Sequence, residues 1–211
     1  MRVTKYGHCC LLIEIQGVRF LTDPGTFSVI PDACADVQYV VITHEHGDHI
    51  HVASLQSLIA RMPHVRVITN ASVGKLLSAH NIPYLFHEAG TTASYDGVVL
   101  TGYGTLHASV HESVPQVQNT GYLFNEALFY PGDAFTNPHV PIDVLALPTA
   151  GPWMKLSEAL AYASEVKPGT VIPVHDGIYA RPDMMNQLIE RVLESSGIRF
   201  VQLPYGEAIT L

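Results

Sequence analysis

The stretch Val40-Val41-Ile42-Thr43-His44-Glu45-His46-Gly47-Asp48-His49 limits what this chain can fold into more than any other. Its β-branched start reads as a buried strand, and three imidazoles and a carboxylate follow within six positions. His44 and His46, two apart on chain leaving a strand, point the same way, so one cation can take both. Gly47 permits a sharp turn. Asp48 and His49 are then expected in the first turn of a helix with apolar positions Val52, Leu55, Leu58, Ile59 and Met62. They project in another direction, toward a second cation, at a helix N-terminus that favours negative charge. The bland alternative is a set of solvated loop histidines with an aspartate cap. The density of donors directly after a buried strand argues against it. His51 reads as an exposed helix residue.

A chain of 211 residues, 47% of them hydrophobic, can bury one substantial core, and a single domain over residues 1–211 is expected. The 11 basic and 19 acidic residues give a formal charge of −8, which disfavours a nucleic-acid backbone or an anionic membrane as the main partner. Cys9, Cys10 and Cys34 have no C-x-x-C spacing, so neither a disulfide framework nor a thiolate zinc site is indicated. A reduced, cytoplasmic location fits, with Cys9 and Cys10 as small core filler. There is no secretory signal pattern, and the apolar runs fall short of the ~20 residues of a membrane helix, so a soluble protein is expected.

Along the chain, residues 2–5, 8–15 and 18–22 read as strands, with Gln16-Gly17 as a hairpin turn. Asp23, before Pro24, reads by itself as a turn residue, and His8 as a half-buried strand histidine. Residues 65–69, 71–80 and 84–86 alternate as strand, helix, strand, with His64, His80 and His87 solvated. Residues 97–106 suggest two strands or one bent strand ending at His107, and residues 121–124 and 127–130 a hairpin running into Pro131-Gly132-Asp133. A core strand at 143–147 precedes an amphipathic helix with apolar Leu156, Leu160, Ala161 and Val166. The strand 170–174 ends at His175-Asp176-Gly177. A helix over 181–193 opened by Pro182 and two short strands complete the chain.

The ordered set Gly7-His8, Thr22-Asp23-Pro24, the His-rich loop, His107, Gly132-Asp133 and Pro173-Val174-His175-Asp176 resembles the metallo-β-lactamase-fold hydrolases. The segment Gly-Pro-Trp-Met-Lys-Leu-Ser-Glu-Ala is similar to small intracellular members related to ascorbate-6-phosphate lactonase. The resemblance implies an α/β, four-layer αββα sandwich with mixed sheets. It implies that His44, His46 and His107 hold one divalent ion and Asp48, His49 and His175 a second, with Asp133 between them. His111 competes with His107 for its place and is otherwise a substrate-contacting or proton-transfer residue. Asp23 is expected to support the metal loop, and His8 to line the site entrance. Trp153, either packed on its helix or forming a pocket wall, joins Lys155, Tyr179 and Arg181 as expected substrate contacts.

Nitrogen and oxygen ligands suit zinc first, with manganese and iron compatible. Such a pair of ions implies a metal-bridged hydroxide that cleaves a small ester, lactone or phosphoester, with Asp48 taking its proton. No Gly-x-Ser-x-Gly elbow supports a serine mechanism. Asp133 is at odds with a β-lactamase proper, and the stretch from Asp133 to His175 is too short for the insertion domain of RNA-processing relatives. The alternatives are an iron-dependent oxidoreductase of the same fold and a non-catalytic metal or metabolite-binding protein. The expected partner is a small, anionic substrate, with homo-oligomerisation left open.

Overall fold

A computed structural model describes residues 1–30, 34 and 36–211. The first sheet contains β1 (Arg2–Lys5), β2 (Leu11–Ile15), β3 (Val18–Thr22), β4 (Tyr39–Ile42), β5 (Arg66–Thr69) and β6 (Tyr84–Phe86) in that spatial order, with β14 (Ala208–Thr210) on the β1 edge. The second runs β13 (Arg199–Phe200), β12 (Thr170–Val174), β11 (Val144–Pro148), β10 (Leu128–Tyr130), β9 (Gly121–Phe124), β8 (Val98–Tyr103) and β7 (Thr92–Tyr95). Both are mixed. β1 to β3 are antiparallel and β3 to β6 parallel. In the other sheet, β7 to β10 are antiparallel and β10 to β13 parallel.

Three buried clusters make four layers. Val3, Leu11, Ile13, Phe20, Tyr39 and Val41 of the first sheet meet Leu100, Tyr122, Phe124, Tyr130, Ala146 and Ile172 of the second. The alternate residues Leu12, Leu21, Val40 and Ile42 face outward onto α1 (Val52–Arg61) and α2 (Ala71–Ala79). Leu123, Phe129, Leu145 and Val171 face α3 (Leu156–Val166) and α4 (Pro182–Ser195). Leu55 and Leu58 of α1 are both fully buried, and each contributes about 1.5–3 kcal/mol by leaving water. Among the described residues, no helix is long and apolar enough to cross a membrane.

The hairpin at Gln16-Gly17 forms as expected, with positive φ at both positions. Other details differ. The strand expected from residue 8 starts at Leu11, because Tyr6 N–H already closes on Cys10 O at 2.8 Å and turns the chain. α3 buries Ala159, Tyr162 and Ala163, while Ala161 faces outward. His87 is fully buried rather than solvated. Its Nδ1 lies 2.9 Å from the Tyr95 hydroxyl, and its backbone N–H bonds Thr69 O at 2.8 Å.

Candidate metal centre

The site forms where the two sheets come together past the C-terminal ends of β4, β10 and β12. His44, His46, Asp48 and His49 come from the loop after β4, His107 from the loop after β8, Asp133 from the turn after β10, and His175 from the end of β12. Helix α1 begins only at Val52, so Asp48 and His49 do not open it. They lie in a preceding turn in which His49 and Ile50 N–H groups bond His46 O at 2.9 and 3.0 Å. That turn is bound to the loop after β3 by Thr26 N–H to Gly47 O at 2.8 Å and His51 N–H to Pro24 O at 3.2 Å, before helical bonding starts. The expected help of a helix N-terminus therefore loses its basis, since it fades beyond the first turn. Gly25 makes this crossing possible, because a Cβ there would sit 1.9 Å from Asp48 O. His51 is the exposed N-cap residue.

Asp23 is fully buried under this loop. Its Oδ1 accepts Thr43 N–H at 2.8 Å, and its Oδ2 lies 2.7 Å from Thr43 Oγ1, 2.7 Å from His49 Nδ1 and 2.8 Å from the Tyr130 hydroxyl. These contacts fix tautomers. The Thr43 hydroxyl gives its one proton to Asp23, so it accepts from His44 Nδ1 at 3.0 Å, leaving the His44 Nε2 lone pair free. His49 Nδ1 donates to Asp23, and His107 Nδ1 donates to Ala108 O at 2.5 Å. In the neutral rings three Nε2 lone pairs therefore face inward, with His46 Nδ1 3.1 Å from His44 Nε2.

Asp133 stands between the two groups. Its Oδ1 is 3.1 Å from His49 Nε2, and its Oδ2 is 2.9 Å from His175 Nε2 and 3.3 Å from His107 Nε2. Trp153 donates its indole N–H to the same Oδ2 at 2.9 Å. The turn that delivers Asp133 needs Gly132, whose φ is +67° and whose Cβ would meet Asn119 Oδ1 at 2.3 Å. Asp48 Oδ2 lies 3.5 Å from both His8 Nε2 and His175 Nε2, on the side open to solvent. His175 is held in the left-handed region at φ 59°, where its N–H bonds His8 O at 2.9 Å; such a conformation costs about 1–3 kcal/mol and is kept by its surroundings.

The electrostatics divide the cage. Burial and the neighbouring His49 hold His44 well below the ordinary imidazole range, and burial with His107 lowers His46. Burial also opposes charge on His49 and His175, but Cys9 and Asp133 outweigh it, raising His49 well above its usual value and His175 to about 10. Burial pushes the Asp48 and Asp133 carboxyls up, yet the surrounding histidines hold both far below the carboxylate range. Without a cation among them, His44 and His46 are thus neutral, while His49 and His175 hold their protons against the ionised Asp48 and Asp133.

Donor atoms of His44, His46 and His107 lie within 4.8 Å of one another, as do those of Asp48, His49 and His175, and of His44, His49 and Asp133. Asp133 Oδ1 and both ring nitrogens of His175 are buried without a hydrogen-bond partner. Inward lone pairs at His44 and His46 and orphaned polar atoms at Asp133 and His175 are stabilised by cations, so the residues fit divalent ions.

The remaining expected site residues divide by depth. Trp153 is buried, its ring 5.8 Å from that of His107 and 6.1 Å from that of His175. His8 is fully buried, its ring 4.0 Å from that of His175. Tyr179 is half-buried, its hydroxyl donating to Thr149 O at 2.7 Å. Lys155, Arg181 and His111 are exposed. Arg181 pairs with Asp183 at 3.4 Å and His111 Nδ1 sits 2.8 Å from Ser113 Oγ, both contacts within their own loops.

Sequence reasoning missed Cys9, whose Sγ lies 3.7 Å from His49 Nε2, and the Trp153 bond to Asp133. Burial pushes the Cys9 thiol up, but His49 and His175 bring it down to about 6. Its position beside His8 was the available signal. Cys9 faces the space between the sheets and Cys10 the opposite side.

Two facing mixed sheets between helical layers, with a histidine and aspartate cage at their edge, define the metallo-β-lactamase type of fold. A family model described as the beta-lactamase superfamily domain matches residues 2–175, and the chain belongs to that family. Protein Rv0786c of Mycobacterium tuberculosis is 34% identical over 215 residues, covering 100% of each chain. The UPF0173 metal-dependent hydrolase MJ1163 of Methanocaldococcus jannaschii is 24% identical over 228 residues, covering 99% of this chain and 100% of its own. Among solved structures, Igni18, a metallo hydrolase from the archaeon Ignicoccus hospitalis, superposes with a TM-score of 0.78 at 21% identity, covering 100% of this chain and 97% of its own.

Proposed function

We propose that the chain is a dinuclear, divalent-metal-dependent hydrolase of a small ester, lactone or phosphoester. His44, His46 and His107 would hold one ion and Asp48, His49 and His175 the other, with Asp133 between them. The observation that carries this reading is the convergence of seven nitrogen and oxygen donors, from both sheets, on one buried cage, with the Nδ1 atoms of His44, His49 and His107 engaged outside it so that their Nε2 atoms face inward. The hydrolase names of relatives spanning the chain support it.

Zinc, or manganese or iron, would supply Lewis acidity to the scissile group and lower the pKa of water toward ~7. The protein's own groups do the rest. Asp48, its side chain 25% exposed, faces the solvent side and is positioned to orient a water and accept its proton. Asp23 fixes His49 and, through Thr43, His44 in their ligating tautomers. Trp153 closes one wall. Tyr179 reaches substrate from the half-buried loop after His175, and Lys155, Arg181 and His111 serve an anionic substrate only from the rim. Three free cysteines, all buried, are consistent with work in a reducing cytoplasm.

The test is a panel of esters, lactones and phosphodiesters offered to metal-depleted protein and to protein reloaded with zinc, manganese or iron. Turnover restored by metal and lost in Asp48→Asn is the expected result. No turnover with any metal, or oxygen uptake by the iron form without hydrolysis, overturns the proposal.

A further inference from the structure

Cys9 lies on the ligand side of the site, and nothing in the hydrolytic reading uses it. Its side chain is buried, with Sγ 3.7 Å from His49 Nε2 and within 4.8 Å of a ring nitrogen of each of His8 and His175. The two nearby histidines differ in what they can offer. Gly177 N–H donates to His8 Nδ1 at 3.0 Å, so a neutral His8 carries its proton on Nε2 and is a donor, not a lone-pair ligand. That Nε2 is buried, has no hydrogen-bond partner, and stands 3.5 Å from Asp48 Oδ2. His175 is also more than nine-tenths buried; its Nδ1 has no hydrogen-bond partner, and its Nε2 stands 2.9 Å from Asp133 Oδ2 and 3.5 Å from Asp48 Oδ2. Sulfur thus lies close to two imidazoles of the cage, His49 and His175, with the N–H donor of His8 beside it.

We propose that Cys9 Sγ is a ligand of the ion held by Asp48, His49 and His175, so that this position carries a thiolate as well as nitrogen and oxygen. This rests on the metal-centre reading above. On coordination the sulfur–metal bond forms and the thiol proton passes to bulk water; no oxidant or reductant takes part. A thiolate favours zinc, cadmium and cobalt over manganese or magnesium, because soft sulfur gains little from a hard cation. The ion position that Cys9 joins is therefore thiophilic, and the three-imidazole position is not. His8 Nε2–H then serves the carboxylate or the sulfur as a hydrogen-bond donor.

The experiment titrates the full-length, metal-depleted protein with cobalt(II) and follows two spectral regions. Visible d–d bands report that cobalt is bound, and a near-ultraviolet sulfur-to-cobalt charge-transfer band reports a thiolate ligand. We expect both in the wild type, with the charge-transfer band lost in Cys9→Ser and Cys9→Ala and kept in Cys10→Ala, whose thiol faces the other side of the sheet. Cadmium affinity should fall more than about tenfold in Cys9→Ser while manganese affinity moves less than about threefold. Circular dichroism checks that the variants fold, and Cys10→Ala keeps the test decisive if both Cys9 variants fail to fold, since the band must then survive without Cys10. Visible bands with no charge-transfer band overturn the Cys9 assignment and leave the metal centre standing. Absence of both overturns the two together, as does a charge-transfer band that disappears in Cys10→Ala.

Discussion

Trp153 and Asp133 are 20 positions apart, and the indole N–H reaches the one carboxylate oxygen that also faces His107 and His175. A hydrogen bond there fixes the carboxylate plane before any ion arrives. Trp153→Phe keeps an aromatic wall and removes only the donor, so metal affinity is expected to fall about tenfold, the usual cost of losing a ligand's supporting bond. Competition against a chromogenic chelator measures this, and unchanged affinity would refute it. His87 supplies a second test, away from the ligands. Burial lowers its pKa below the ordinary value, so between the two values the unfolded chain binds more protons than the folded one. Its contribution to stability is then complete above about pH 6.5 and lost as pH falls below it. In His87→Asn, which keeps a polar group near the Tyr95 hydroxyl, urea midpoints of metal-depleted protein should fall less steeply from pH 7 to 5. The difference is limited to about 1.4 kcal/mol per pH unit, the slope of one proton.

At the scale of elements, β1 is joined to the loop after β12 by a buried ion pair. Lys5 Nζ lies 2.5 Å from Asp176 Oδ1 and donates to Pro173 O at 2.8 Å, next to the strained His175. Lys5→Met leaves a buried carboxylate without its cation and is expected to cost about 3–5 kcal/mol, most of it recovered when Asp176→Leu is added. Chemical denaturation measures both; a single-variant loss within about 1 kcal/mol would contradict the account. Neither the pair nor its partners could be read from the sequence, because 171 positions separate them. What was legible was local. Dense β-branched runs gave β4, β5 and β12, and nitrogen and oxygen donors crowded after one strand pointed to the cage. β7 was missed although Asp96-Gly97 is a hairpin turn signal, because Thr92 to Tyr95 is a short edge strand whose inward face is only Ala93 and Tyr95, too little for an alternating apolar pattern. The closeness of Cys9 to His49 was illegible for another reason. A cysteine in the core and one beside the cage have the same local pattern, and only the approach of β12 and the loop after β4 tells them apart.

For the whole molecule, the cage is a junction between sheets. His44, His46, Asp48 and His49 follow strands of the first sheet, and His107, Asp133 and His175 follow strands of the second. Direct bonds already cross at this edge: Thr120 N–H to Thr43 O at 3.0 Å, His175 N–H to His8 O at 2.9 Å, and the Tyr130 hydroxyl beside Asp23. An ion bound here closes contacts between the halves that the unfolded chain cannot hold, so its binding energy becomes folding energy for both sheets. Free ion at a hundred times its dissociation constant should add about 2.7 kcal/mol, a rise of about 5–10 °C in thermal midpoint for a chain of this size. Chelation should reverse it, and amide exchange should quicken together at residues 43–49, 131–133 and 175 while the centres of β2 and β11 stay protected. A midpoint indifferent to metal, or protection lost on one sheet alone, would mean that the site sits on the fold without joining its halves. The same linkage explains why so many titratable groups are tolerated at one edge. Asp23, Asp48 and Asp133 and five inward imidazoles are costly to bury in isolation, and become stabilising once opposite charge lies among them.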